Sequence, residues 1–311
     1  MDSPAEADVV WMDGKLVFWA DATVHILTHS LHHGTAVLEG TRVHRSANGP
    51  VAFRLDDHVD RLLRSARILR MDLPFKRDEL VAATLELVRA NAHDACYVRH
   101  LAYHGAGPMS VVPDGNPVRV AIASWEWGAY LGDHAMQHGA RLMTSSWRRN
   151  DANALPPEVK ATGPYLNAAL AKREALDAGY DEALMLGADG QVAECSSENI
   201  FAMLDGTLVT PPVSSGILAG ITRDSVLCAA ADLGIPTAES PMTRTMLYTA
   251  EEVFLTGTAA QLTPVCSIDG REPARVGETT GRLDAHLTGI VRGELPDTRH
   301  WLTVVDPPEA P

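Results

Sequence analysis

Short apolar runs separated by tight-turn residues fill the second half of this 311-residue chain. Asp189-Gly190 and Asp205-Gly206 stand between such runs. An Asp-Gly pair in that position indicates a hairpin, because both residues accept the positive φ angles of a two-residue turn. The second half is therefore expected to be rich in strands. The predicted strands are Glu182–Leu186, Gln191–Cys195, Asn199–Leu204 and Thr207–Thr210.

The first half mixes helical and strand patterns. Apolar residues recur at helical spacing over Asp56–Met71, and a second helix is expected over Arg77–Asn91. Arg61 and Arg64 lie on the first of these helices, and the default expectation for both is a solvated helix face. The predicted strands are Ala36–His44, Cys96–Tyr103 and Val118–Trp125, followed by Leu142–Trp147.

One of these strands carries an arginine between two tyrosines. In Cys96–Tyr103, the side chains of Tyr97, Arg99 and Tyr103 share one side, because side chains alternate along a strand. If that side lines a cavity, Arg99 is placed to bind a carboxylate. If it faces solvent, the arginine indicates nothing about function.

Composition excludes several classes of partner. A net charge of -14 argues against nucleic acid or an anionic membrane as the main partner. The four cysteines are widely spaced without a CxxC pair, which suits a reducing compartment and offers no disulfide framework. The N-terminus lacks the apolar core of a signal peptide, and no apolar run is long enough to span a bilayer. We expect a cytoplasmic protein.

Four histidines, His25, His29, His32 and His33, lie close together near the N-terminus. Spacings of four and seven would put the first three near one face of a helix, so a metal site has to be considered. No acidic residue or cysteine lies among them, and no HExxH pattern is present. Packed or capping histidines are the alternative, and the segment alone leaves both possibilities open.

Lys160 lies in a segment that is poor in charge and is followed by a helical pattern. Burial of a lysine lowers its pKa and leaves an amine that can attack a carbonyl. A lone lysine is far more often a surface residue, so only its neighbours can support a catalytic role. Further along, a glycine-bearing loop leads into a helix whose first backbone N–H groups, near Ile221 and Thr222, would suit a phosphate.

Eight motifs, spread over most of the chain, occur in a characteristic order. With them the sequence resembles the branched-chain amino-acid aminotransferase group of fold-type IV pyridoxal-phosphate enzymes. The resemblance extends from Trp11 to about Arg292. The motifs are His29–Arg42, Phe53–Leu62, Tyr97–Leu101, Trp127–Gly132, Val159–Asn167, Ala193–Phe201, Leu218–Val226 and Val253–Val265.

The resemblance implies how a pyridoxal 5'-phosphate cofactor is held. Lys160 matches the lysine that bonds to the cofactor and then moves the proton between the substrate Cα and the cofactor. Glu194 matches the carboxylate that keeps the pyridine nitrogen protonated, so that the ring can accept electrons. Tyr165 matches a tyrosine beside the ring. The phosphate would be bound by Arg61, by the backbone of Ile221 and Thr222, and by Thr258.

The resemblance also implies a substrate pocket, with two departures from the family pattern. His33 stands where these enzymes usually have tyrosine, and Leu38 where they usually have phenylalanine, so an altered choice of substrate is expected. An unaltered role for both residues is the alternative. The loop Gly107–Val112, which in the family reaches over from the partner subunit, reads GPMSVV. Further implied contacts are Tyr97 and Arg99 for a distal carboxylate, Trp127 and Tyr130 as walls, and Thr258 and Ala259 for the α-carboxylate.

The implied fold is α/β (α+β) with two domains. Residues 1–128 would form a smaller α/β domain, residues 129–139 a linker, and residues 140–311 a larger pseudo-barrel domain with a frayed tail. The implied activity is ping-pong amino transfer between an L-amino acid and a 2-oxo acid, in a homodimer or a multiple of it. No metal is expected, because the histidines fall on a family motif.

Two alternatives to this activity remain. The first is a D-amino-acid or (R)-amine transaminase, or an aminodeoxychorismate-lyase-like enzyme of the same fold. The second is a non-catalytic protein that binds metal through the histidine cluster.

Overall fold

The computed structural model describes residues 6–47, 49–128, 131–274 and 276–305. Within them the strands are β1 (Val9–Met12), β2 (Lys15–Phe18), β3 (Val37–Ser46), β4 (Gly49–Phe53), β5 (Cys96–His104), β6 (Val118–Trp125), β7 (Ala140–Thr144), β8 (Glu182–Leu186), β9 (Val192–Cys195), β10 (Asn199–Leu204), β11 (Thr207–Thr210), β12 (Thr237–Glu239), β13 (Glu252–Gly257), β14 (Gln261–Ile268) and β15 (Leu302–Val304). The helices are α1 (His29–His33), α2 (Leu55–Ile68), α3 (Arg77–Ala90), α4 (Gly132–His138), α5 (Tyr165–Asp177), α6 (Ile221–Asp232), α7 (Arg244–Leu247) and α8 (Glu278–Arg292).

The chain forms two compact units. The break after Trp127 lies one residue from the predicted boundary at residue 128. Two later segments nevertheless group with the first unit, so the units are not two continuous halves. The first unit comprises Met1–Trp127, Val159–Gly163 and Gly289–Pro311, and the second comprises Gly128–Glu158 and Pro164–Thr288.

The first unit is built on a seven-stranded antiparallel sheet. Its strand order is β15-β4-β3-β5-β6-β1-β2. Helices α2 and α3 cover one face, where Leu62 and Leu87 pack with Val98 and Ile122 in one buried cluster. Alternation along the strands sends the other side chains of β3 and β5 to the opposite face. That second face carries the residues of functional interest.

The second unit contains a mixed eight-stranded sheet. Its order is β12-β11-β10-β13-β14-β7-β8-β9, with parallel pairs at β11–β12, β14–β7 and β7–β8. Strand β9 leads directly into β10, and the amide of Cys195 donates to the carbonyl of Glu198 in the connection. The sheet therefore curls back on its own start through six strands, as expected for a pseudo-barrel. Ile200, Leu255 and Val265 lie in its buried core.

Most predicted elements are confirmed, and three details are corrected. Helix α2 begins at Leu55 and ends at Ile68, three residues before the predicted end. The predicted linker contains helix α4. Helix α1 spans only five residues, so His25 lies outside it and cannot share a helical face with His29. Among the described helices, none is long and apolar enough to cross a membrane.

Candidate active site

The backbone of Lys160 is fixed against two elements of the first unit. Its N–H donates to the hydroxyl of Ser65 at 3.2 Å, and its carbonyl accepts the N–H of Leu38 at 2.9 Å. A bridge between Ala161 and Val37 continues this pairing along the start of β3. The lysine is half-buried. It lies against the start of a buried strand, and its catalytic role stays a prediction.

A buried carboxylate, Glu39, lies on the next residue of β3. It accepts hydrogen bonds from Nε and Nη2 of Arg61, at 2.5 and 3.0 Å, and from Nδ1 of His58, at 2.8 Å. Burial by itself would raise the pKa of Glu39, but the charge of Arg61 and the hydrogen bonds outweigh it and hold the pKa well below its ordinary range. Glu39 is therefore ionised at neutral pH.

His58 supports this pair as a neutral donor. Desolvation lowers its pKa, and the positive charges of Arg61 and Lys160 act in the same direction against the attraction of Glu39. Arg61 is only 5% exposed, so the default expectation of a solvated helix face is wrong for it. We did not predict Glu39 or His58 from the sequence. The sequence features that could have indicated them are an acidic residue within an apolar strand, for Glu39, and a histidine on the buried face of α2, for His58.

The second face of the first sheet brings several predicted pocket residues together. Leu38 pairs with Leu101 across β3 and β5, and Gly40 pairs with Arg99, so these four residues lie on the same face of the sheet. Tyr97 is buried on the same face and meets the Trp127 ring edge-on, with 4.8 Å between ring centroids.

Glycine is required at position 40 because the Tyr97 side chain of the neighbouring strand lies over it. A Cβ on Gly40 would lie 1.7 Å from Oη of Tyr97 and would expel that ring. The same tyrosine supports Arg99, whose guanidinium lies 5.4 Å from the ring centroid and donates to Oη at 3.4 Å. Nε of Arg99 is buried and has no hydrogen-bond partner among the described residues. Binding of a carboxylate by Arg99 stays a prediction.

Other predicted pocket residues lie elsewhere. His33 ends α1, is exposed, and stacks on His29 with 4.2 Å between ring centroids. Among the described contacts, none joins His33 to Tyr97 or Arg99. Tyr130 lies outside the described residues. Within those residues, no group of three or more His, Cys, Asp or Glu side chains could hold a metal ion.

In the second unit, Glu194 on β9 is the centre of a buried polar cluster. Its carboxylate is 2.6 Å from Nη2 of Arg149 and accepts Nδ2 of Asn199 at 2.9 Å. The N–H of Leu218 adds a third donor at 3.2 Å. Three donors, one of them charged, compensate a carboxylate that is only 4% exposed. Arg149 and Asn199 had not been singled out in the sequence.

The same asparagine is packed against the start of α6. A Cβ on Gly220, the N-cap of this helix, would lie 2.0 Å from Oδ1 of Asn199. Gly220 has no side chain with which to cap the helix, and Ile221 and Thr222 lie in its first turn, where backbone N–H groups point toward the helix start. The turn after β13 contains Thr258 and Ala259, both half-buried.

These groups fit an anionic, pyridine-containing cofactor such as the expected pyridoxal phosphate. The carboxylate of Glu194 can accept a hydrogen bond from a protonated ring nitrogen. The start of a helix binds phosphate well, because its N–H groups and dipole both favour an anion. Oγ1 of Thr256, at the end of β13, is buried without a hydrogen-bond partner among the described residues. Tyr165 begins α5 and is 37% exposed.

Comparison with known proteins gives a consistent result. The Amino-transferase class IV family model matches residues 36–268. The branched-chain-amino-acid aminotransferase of Pseudomonas aeruginosa is 43% identical over 306 residues, 97% of this chain and 99% of that protein. That of Escherichia coli K12 is 42% identical over 304 residues, 97% of this chain and 98% of that protein.

Solved structures agree in fold over nearly the full length. The crystal structure of the Escherichia coli branched-chain amino acid aminotransferase has a TM-score of 0.95 at 42% identity and covers 97% of this chain and 100% of that chain. The branched-chain amino acid aminotransferase from T.th. with pyridoxamine 5'-phosphate has a TM-score of 0.93 at 47% identity, covering 97% and 99%. These relatives do not favour the D-amino-acid, (R)-amine or lyase alternatives.

Proposed function

This chain belongs to the class IV amino-transferases, and we propose that it moves an amino group between a branched-chain L-amino acid and a 2-oxo acid by a ping-pong mechanism. It is a pyridoxal-phosphate-dependent transaminase. The T.th. relative binds pyridoxamine 5'-phosphate in one structure and 4-methylvaleric acid in another, which supports the same cofactor and an aliphatic substrate here.

The observation that carries the substrate proposal is the sheet face around Arg99. Leu38 offers an aliphatic contact on this face, and Nε of Arg99 has no partner among the described residues. An aliphatic amino donor needs only apolar contacts for its side chain. A dicarboxylic 2-oxo acceptor would place its distal carboxylate on the guanidinium, in a charge-assisted hydrogen bond.

We further propose roles for the residues that would hold the cofactor. When bound, pyridoxal phosphate supplies an electron sink for the bond that breaks at the substrate Cα. Nζ of Lys160 would bond to the cofactor and would accept and return the Cα proton. Glu194, held by Arg149 and Asn199, would keep the ring nitrogen protonated. Tyr165 would lie beside the ring, and the phosphate would be bound by Arg61, Ile221, Thr222 and Thr258.

The remaining pocket assignments are also part of the proposal. His33 and Leu38 would tune the choice of side chain, since both differ from the usual family residue. The turn after β13 would bind the α-carboxylate through backbone donors. The proposed substrate residues are His33, Leu38, Tyr97, Arg99, Trp127, Tyr130, Thr258 and Ala259.

A spectroscopic experiment tests the function directly. The purified enzyme should absorb as a lysine-bound pyridoxal phosphate, and leucine should bleach that band in a single half-reaction. Lys160→Ala should abolish turnover, whereas Lys15→Ala, an exposed lysine on β2, should leave it unchanged. Normal turnover by Lys160→Ala would contradict the mechanism.

A donor scan tests the substrate assignment. Leucine, isoleucine, valine, aromatic and basic amino acids are compared in wild type and His33→Tyr. We expect branched-chain donors to lead in wild type and the ranking to change in the variant. Identical rankings would show that His33 does not tune specificity.

We also propose a homodimer, or a multiple of it, in the cytoplasm. The family resemblance supports the assembly, and four cysteines without a pairing pattern in the sequence support the cytoplasm. Sedimentation equilibrium of the holoenzyme would test the assembly, and a monomeric mass at micromolar concentration would contradict it.

A further inference from the structure

His29, the first residue of α1, is completely buried, and both of its ring nitrogens have partners. Nε2 lies 2.7 Å from the carbonyl oxygen of Ser110, and Nδ1 lies 3.0 Å from Oγ1 of Thr35. A carbonyl can only accept, so Nε2 carries a hydrogen. In the neutral ring, Nδ1 must then accept the hydrogen of the Thr35 hydroxyl.

Two hydroxyl groups extend this contact to β5. Oγ of Ser30 is 3.1 Å from Oγ1 of Thr35 and accepts the backbone N–H of His104 at 2.9 Å. One end of the chain is an amide, which only donates, and the other end is a carbonyl, which only accepts. With a neutral His29 ring, these end groups leave one direction for every hydrogen bond, and each hydrogen is used once. In order, the hydrogens are donated by His104, Ser30, Thr35 and His29, and Ser110 accepts the last.

The loop that receives this last hydrogen bond presents apolar side chains. Met109, Val111 and Val112 lie within four residues of each other, and their side chains are 42%, 80% and 56% exposed. A bridge between Ala106 and Thr28 holds the base of the loop. Among the described hydrogen bonds, the bond to Ser110 is the one that joins the loop Gly107–Val112 to α1.

The ring of His29 also supports His33. The two rings are stacked, with centroids 4.2 Å apart and planes 19° apart, and Nδ1 of His33 lies 3.4 Å from the carbonyl of His29. One buried imidazole therefore holds the loop by a hydrogen bond from its edge and holds His33 by stacking on its face. Loss of the whole imidazole would release both together.

We propose that His29 is a positioning residue that holds His33 and the loop Gly107–Val112 in one arrangement, and that this arrangement selects amino donors with large aliphatic side chains. The inference rests on the proposed function, in which His33 tunes the choice of substrate side chain. His29 itself touches neither substrate nor cofactor in this scheme. Its effect reaches the pocket through the residues that it holds.

Two variants separate the edge contact from the face contact. His29→Phe keeps a flat ring against His33 and removes the donor to Ser110. His29→Gln keeps an N–H donor and removes the ring. His32→Phe is the matched control, since His32 lies on the same short helix and contacts the carbonyl of Ile26 instead, at 2.8 Å.

Two measurements need no substrate. In the wild-type holoenzyme, 15N NMR should find His29 protonated at Nε2 and not at Nδ1. Hydrogen exchange of the amides in Gly107–Val112 should accelerate in His29→Phe, return toward wild type in His29→Gln, and stay unchanged in His32→Phe. A proton on Nδ1, or unchanged exchange in His29→Phe, would overturn the positioning role. The NMR measurement uses the wild-type protein, so it is decisive even if the variants fold poorly.

Kinetics then test the selection of donors. His29→Phe should raise KM for leucine roughly fivefold, the factor expected for one neutral hydrogen bond, while KM for alanine and kcat at saturation stay unchanged. Equal changes for leucine and alanine, or a loss confined to kcat, would overturn the selection. A wild type without amino transfer would overturn the proposed function itself, and the NMR and exchange results would distinguish that failure from a failure of positioning.

Discussion

Glu39→Gln should destabilise the protein strongly while hardly changing its shape. The glutamine leaves the guanidinium of Arg61, whose side chain is 7% exposed, facing a neutral amide instead of a carboxylate. Removing one partner of a buried ion pair costs roughly 3–5 kcal/mol. The amide oxygen can still accept one hydrogen bond, which recovers about 1 kcal/mol, so we expect a loss of about 3 kcal/mol.

Urea unfolding at pH 7, followed by circular dichroism, measures this loss. Asp94→Asn is the matched control, because it makes the same chemical change in the exposed pair with Arg45, whose side chains are 64% and 75% exposed at 2.7 Å. Exposed pairs contribute about 1 kcal/mol or less, so the control should remain close to wild type. A loss below about 1 kcal/mol in Glu39→Gln would refute the reasoning.

The pH dependence gives a second check with a definite sign. The pKa of Glu39 is lower in the folded protein than in the unfolded chain, so its stabilisation is present above the unfolded pKa of about 4.3 and is lost as pH falls toward the folded pKa. The stability difference between wild type and Glu39→Gln should therefore shrink below about pH 4.3. A difference that is constant down to pH 3 would show that the carboxylate charge is not its cause.

Two further substitutions test other parts of the structure. Gly40→Ala should expel the Tyr97 ring and raise KM for the amino donor about tenfold or more. The control is Gly281→Ala, whose Cβ would meet nothing within 4 Å and which should leave KM unchanged. Steady-state kinetics measure both variants, and equal KM values would contradict the predicted clash. Burial and the charge of Glu182 raise the pKa of Glu198 to about 8, above its ordinary value, so the stability that its protonated form provides should be lost as pH rises toward 8. Glu198→Gln should flatten that decline in urea unfolding between pH 5 and 9, and an unchanged slope would contradict the assignment.

The sequence by itself determined the local elements and the kind of chemistry. Strand β6 and the start of α3 occur where the periodicity predicted them, because alternation and helical spacing are properties of neighbouring residues. The turn of Asp205-Gly206 joins β10 and β11 as expected, with positive φ at both residues. The motif around Lys160 indicated the aminotransferase family, which the comparisons confirm.

Only the tertiary structure decided how the charged and polar side chains are used. Arg61 pairs with Glu39, 22 residues away, and the His29 ring is bonded to Ser110, 81 residues away. The histidines expected on one helical face are divided instead, since α1 begins only at His29. A buried polar group takes whichever partner folding brings within hydrogen-bond distance, and no local pattern encodes that partner.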